Sequence, residues 1–103
     1  MARFKLIARS NALDGREADY NAWYDNQHMP DMLNIPGIVS FERFIAAGEG
    51  AHQFLTILEI ETDDLDATMA EVFSRGGTDL MPMTDAIDLN DVDLTVWAPY
   101  EKK

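Results

Sequence analysis

Residues 20–37 read Tyr-Asn-Ala-Trp-Tyr-Asp-Asn-Gln-His-Met-Pro-Asp-Met-Leu-Asn-Ile-Pro-Gly. Placed on a helix, Tyr20, Trp23, Tyr24, Gln27 and His28 recur at i, i+3, i+4, i+7 and i+8 and share one face, while Asn21, Ala22, Asp25 and Asn26 point elsewhere. The imidazole therefore faces inward. Pro30 has no N–H to give to residue 26 and disfavours helix at Met29, so the spacing predicts a kink or stop just after His28 and a restart with Pro30 in the first turn. Such a break frees backbone groups beside the imidazole and favours a functional role; the opposing reading is an amphipathic core helix whose histidine is satisfied by a neighbour. Pro36-Gly37 closes the helical region.

Outward from this stretch the period changes to two. Upstream, residues 3–9 set Phe4, Leu6 and Ala8 against Arg3, Lys5, Ile7 and Arg9, which is a strand; Asp14-Gly15 then marks a loop, and Glu17 and Asp19 place negative charge at the helix start. Downstream, residues 38–46 and 52–61 are two strands of a hairpin turned at Gly48-Glu49-Gly50. Thr62 is the expected N-cap of a second helix running to about Arg75, with Leu65, Met69, Val72 and Phe73 as its buried stripe and Gly76-Gly77 as its stop. Residues 78–90 are acidic, rich in methionine and interrupted by Pro82, the marks of an irregular lid or a short helical turn. Residues 92–98 form the last strand, limited by Pro99. The order predicts one α+β domain over residues 1–103: a ferredoxin-like βαββαβ unit, its antiparallel four-stranded sheet carrying two helices on one face.

Two helices cover one face only. Val39, Phe41 and Ile45 lie opposite Ile38 and Phe44 in the second strand, and Phe54, Leu58 and Ile60 opposite Leu55 and Ile57 in the third, so both faces carry apolar residues. A second copy packed sheet against sheet is the economical cover, and a homodimer with a cavity near the sheet–helix boundary is expected. Ser40, Glu42, Gln53, Glu59 and Asp93 support the opposing reading, a monomer with a half-polar second face.

The formal net charge of −11 disfavours a phosphate backbone or an anionic membrane as partner. There is no cysteine, and the two histidines lack closely spaced acidic partners, so neither a disulfide framework, a thiolate nucleophile nor a metal site is expected. The N-terminal stretch lacks the apolar run of a signal peptide and no segment reaches membrane length, which points to a cytoplasmic protein. No phosphate-cradling glycine loop, nucleophile elbow or glycosidase-type carboxylate pair is present. Acid–base chemistry without a cofactor, on a small hydrophobic carbonyl or phenolic compound, is the class that remains.

Trp23-Tyr24-Asp25, His28, Pro30-Asp31 and Pro36-Gly37, followed by a strand containing Arg43, resemble the signature of the dimeric α+β-barrel superfamily, in particular its EthD-like branch. The resemblance extends over most of the chain, with its specific part at residues 20–45. It implies a ferredoxin-like unit paired into a barrel, a small-molecule pocket between sheet and helices in each subunit, and His28 as the functional histidine. Members of that superfamily include polyketide cyclases, small lyases and isomerases, and cofactor-free oxygenases.

His28 is the proton-transfer candidate, since an imidazole titrates near neutrality. Tyr24, one turn earlier, either donates to a developing enolate or phenolate or fills the core. Asp31 either orients the imidazole or serves the restarted helix as a first-turn acid. Arg43 either anchors an anionic substrate or pairs with Glu59 or Glu61 across the hairpin. His52 belongs to the pocket mouth or to the surface, and Trp23, Phe41, Phe54 and Trp97 are candidate walls for an aromatic ligand or plain core. The leading expectation is a cofactor-independent lyase, isomerase or cyclase; the rivals are a cofactor-free monooxygenase and a non-catalytic binding dimer.

Overall fold

The computed structural model describes residues 1–101. Strand β1 (Ala2–Ser10) pairs antiparallel with β3 (Phe54–Thr62) on one edge and with β4 (Asp93–Trp97) on the other, and β2 (Ile38–Ile45) pairs antiparallel with the outer edge of β3. The resulting order, β2-β3-β1-β4, interleaves two βαβ crossovers, which is the predicted ferredoxin-like α+β arrangement. Alternation sets the inner face: Phe4, Leu6, Ala8 and Ser10 stand beside Ile60, Leu58, Thr56 and Phe54. Leu6, Leu58 and Ile60 join Met32, Ile35, Ile38 and Met81 in one core cluster; Tyr20, Tyr24, Phe54, Ala12, Ala86 and Ile87 make a second.

In β2 the strict alternation read from sequence fails. A register shift between Ile38 and Ser40 lets Ile38 face Ile60 while Phe41 faces Leu58, so both point inward and Val39 is left 48% exposed at the sheet edge. One extra residue in the strand reverses parity for everything before it.

The helix does not stop after His28, although Pro30 does stand in the first turn of the α-helical segment that follows. Helix α1 (Glu17–Trp23) passes through a π-helical turn (Tyr24–His28) into α2 (Met29–Leu33), and His28 and Met29 keep right-handed helical backbone angles. The Met29 amide reaches back five residues to the Tyr24 carbonyl. A turn wider by one residue asks no hydrogen bond of Pro30 and relieves the crowding its ring brings to an ordinary α-turn, so the proline is absorbed without ending the helix.

Gly37 follows at φ +98°, a left-handed conformation, and its carbonyl accepts from the Glu61 amide at 2.8 Å. A Cβ there would meet the Glu61 carbonyl oxygen at 3.2 Å and Thr68 Cγ2 at 3.4 Å. Gly37→Ala is expected to cost about 2 kcal/mol, read as a lower urea midpoint at unchanged slope.

Helix α3 (Leu65–Arg75) is capped by Asp64, whose carboxylate accepts from the Ala67 amide at 3.0 Å, and not by Thr62, which remains in β3 and accepts from the Asp64 amide at 3.1 Å. Leu65, Met69 and Val72 lean on the core only in part, and Phe73 is 63% exposed. The predicted stripe is therefore not seated flush on the sheet. The segment after α3 is irregular, as expected, but pinned: Ala12 bridges Ile87, the Leu13 amide donates to the Ala86 carbonyl at 2.7 Å, and a 3₁₀ turn (Leu89–Asp91) delivers the chain to β4. No helix of the described residues is long and apolar enough to cross a membrane.

Candidate functional site

Because α3 stands off the sheet, a cavity of about 190 Å³ lies between them. Its floor is the inner sheet face at Leu6, Thr56 and Leu58, and Met69 and Val72 of α3 form the wall opposite. Met81 and Met83, from the irregular segment after α3, close one side. His28, Tyr24 and Phe41 border the space from the π-turn and β2.

The His28 ring is held by aromatic neighbours. It stacks on Trp23 with centroids 4.4 Å apart and an interplanar angle of 22°, and meets the edges of Tyr24 at 5.1 Å and Phe41 at 6.0 Å. Its Nδ1 is buried and has no hydrogen-bond partner. Burial disfavours the imidazolium and lowers the pKa to about 4, against a smaller opposing pull from Asp31, so the ring is neutral at pH 7. A neutral imidazole that borders an apolar hollow and has hydrogen-bonding capacity to spare can accept or relay a proton from a bound compound.

Tyr24, 5% exposed, contributes its ring to the cavity and packs on Tyr20 at 4.9 Å. Tyr20 itself is fully buried, its hydroxyl 2.5 Å from the Ser10 hydroxyl; burial, and secondarily Tyr24, push its phenol above the usual range. Asp31 accepts from Gln27 Nε2 at 2.6 Å and so acts on the imidazole through its charge alone, with no hydrogen bond to orient the ring.

The other candidates are dispersed. Arg43 donates to Asp25 Oδ1 at 2.9 Å and Asn21 Oδ1 at 2.7 Å and lies 4.7 Å from the Tyr24 ring centroid, tying β2 to α1. The expected cross-hairpin partners Glu59 and Glu61 pair instead with Arg3, because Arg43 shares the inner face with Thr56 whereas the two glutamates project from the outer one. His52 sits at the hairpin end, its Nε2 3.1 Å from Asp91 Oδ1, away from the cavity lining. Phe54 stacks on Tyr20 at 4.8 Å within the second core cluster, and Trp97, on the outer sheet face beside Lys5, is 55% exposed. Neither walls the cavity. Trp23 reaches it only through His28, and its indole Nε1 donates to the Pro82 carbonyl at 2.9 Å, fastening the irregular segment to α1. His28, Tyr24 and Phe41 are thus the sequence candidates that converge.

Sequence reasoning missed Thr56 and the methionines Met32, Met69, Met81 and Met83, all of which line the cavity. Thr56 had a signal: a hydroxyl among the inward apolar residues Phe54, Leu58 and Ile60. The methionines had none beyond their number. Among the described residues no group of three or more His, Cys, Asp and Glu side chains is placed to hold a metal ion.

No family model matches the chain, and no curated protein matches it. Among solved structures it is similar to a putative monooxygenase from Shewanella loihica PV-4, at 15% identity and TM-score 0.64, over 98% of this chain and 97% of that one. It is likewise similar to an ethyl tert-butyl ether D (EthD) family protein from Bacillus halodurans C-125, at 15% identity and TM-score 0.54, over 95% of this chain and 99% of that one. The chain thus shares its ferredoxin-like α+β fold with both of these proteins, one of them an EthD family protein.

Proposed function

We propose that this chain works as a cytoplasmic homodimer and catalyses acid–base chemistry without a cofactor, as a lyase, isomerase or cyclase acting on a small hydrophobic carbonyl or phenolic compound. The observation that carries the reading is the His28 imidazole, neutral and with an unpartnered nitrogen, at the border of an apolar cavity. In that setting the ring is held as the free base, and it takes a proton where a negative charge beside it offsets the cost of a buried imidazolium. As an enolate or phenolate forms beside it, the new negative charge favours the imidazolium, so the proton moves as the charge develops and is returned in the second half of the reaction.

His28→Ala is expected to lower turnover at least a hundredfold on whichever of a panel of phenols, ketones and acids the wild type converts, with the circular dichroism spectrum unchanged. Full turnover by the folded variant defeats the reading. Tyr24→Phe keeps the ring wall and tests the hydroxyl alone. The alternative of cofactor-free oxygenation draws support from the name of the Shewanella neighbour and is distinguished by oxygen consumption with a quinol-like substrate. A ligand bound and released unchanged marks the protein as a binding dimer.

Support for the homodimer comes from the outer sheet face, where Ile7, Ile57, Leu55, Phe44 and Trp97 form an apolar band and Phe44 and Trp97 are exposed. Ion pairs Arg3–Glu61 at 2.7 Å and Arg9–Asp93 at 2.8 Å flank it. Ile57→Lys is expected to convert a dimer, measured by light scattering, into a monomer.

A further inference from the structure

The cavity has an uncharged lining and a limited size, and both restrict what enters it. We propose that it takes an uncharged, ring-sized compound whose hydroxyl or carbonyl is offered to His28 and Thr56, and that it rejects carboxylate-bearing relatives of the same ring; this ligand class rests on the site reading above.

None of the residues lining the cavity is Asp, Glu, Lys or Arg; its polar lining residues are Tyr24, His28 and Thr56. A carboxylate brought into such a space loses its water and finds no cation. Arg43, near the Tyr24 ring, is already bonded to Asp25 and Asn21 and is not a lining residue, and Arg75, at the end of α3, reaches toward Glu71 at 3.5 Å. The net charge of −11 adds a repulsion felt by anions before they arrive.

Size follows from comparison with an apolar cavity of about 150 Å³, which holds benzene. A space of about 190 Å³ therefore suits one substituted ring. Thr56 is 2% exposed on the inner face and, with His28, gives the cavity polar groups to recognise a ligand's functional group. Met32, Met69, Met81 and Met83 form walls of unbranched, rotatable side chains, which conform to differing ring substituents.

The chain carries six methionines, of which Met1 and Met29 do not line the cavity, so methyl-labelled methionine provides both reporters and internal controls. The experiment is an NMR titration of the wild type at pH 7 with p-cresol, 4-hydroxybenzoate and toluene, with signals assigned by single Met→Leu variants. Saturable shifts of the four cavity methionines with p-cresol are expected, with Met1 and Met29 still. Binding of 4-hydroxybenzoate and of toluene is expected to be at least tenfold weaker, and Thr56→Val should narrow the gap between cresol and toluene. Equal affinity for 4-hydroxybenzoate or toluene, or no cavity-methionine response to p-cresol, overturns the proposal. Selective binding of cresol in a protein that converts nothing defeats the acid–base reading and leaves this one standing; His28-dependent turnover of a carboxylate does the reverse.

Discussion

Tyr20→Ala is expected to destabilise the protein by about 3–5 kcal/mol. Tyr20 is completely buried, stacks on Phe54 at 4.8 Å, packs on Tyr24 at 4.9 Å and shares a hydrogen bond with Ser10. Truncation leaves a void where α1 meets the sheet, and strands the Ser10 hydroxyl, itself 2% exposed, without its partner. Against the roughly 5–15 kcal/mol available to a domain of this size, such a loss removes a large share of the total. Tyr20→Phe separates the two contributions: it keeps the ring and is expected to cost about 1–2 kcal/mol for the unpaired hydroxyl. Urea midpoints of the two variants measure both, and a Tyr20→Ala loss below about 1 kcal/mol would mean that the second core cluster does not anchor the helix.

The other large effect is a loss of stability in mild acid through His28. Its folded pKa, about 4, lies below the ordinary histidine value of 6.5, so the unfolded chain binds this proton more readily than the folded one. Above pH 6.5 both states leave the ring neutral and the group contributes no pH dependence. As pH falls from 6.5 to 4 only the unfolded state gains the proton, and stability declines; below 4 the loss is complete. The difference amounts to about 3 kcal/mol. It is read by comparing wild type with His28→Phe, which keeps an aromatic ring against Trp23 and cannot titrate. The stability difference between the two proteins is expected to move in favour of the variant by that amount across this window. Parallel curves for the two proteins would mean that the folded imidazole is reached by water and protonates freely.

β1, β3 and both helical regions were legible because their apolar periods are strong over seven or more residues. β2 and the five-residue β4 were legible with help from the turn residues and Pro99 that bound them. The face shared by Tyr20, Trp23, Tyr24, Gln27 and His28 was legible for the same reason, and Tyr20 and Tyr24 are indeed buried. Among the features that escaped, three lie where one local rule permits two outcomes. Pro30 forbids an ordinary helical bond, but a helix satisfies that prohibition by breaking or by widening, and the sequence does not choose. The bulge at Ile38 adds a residue with no distinguishing residue type, yet it reverses parity. Trp97 alternates with Val96 and Leu94, and its face was fixed only once β4 paired with β1 in the register that sets Trp97 beside Lys5. The cavity was foreseen only in outline. Its volume arises from how far α3 stands from the sheet, a distance that no local pattern encodes.

The π-turn has a bearing on chain length. In hydrogen-bonding terms it holds one residue more than an α-helix would, so deleting a residue among Asp25, Asn26 and Gln27 lets the segment revert to regular winding. The reversion would swing everything on the N-terminal side by about 100° about the helix axis, carrying Tyr20 away from the Ser10 it caps and the indole off its neighbour's ring.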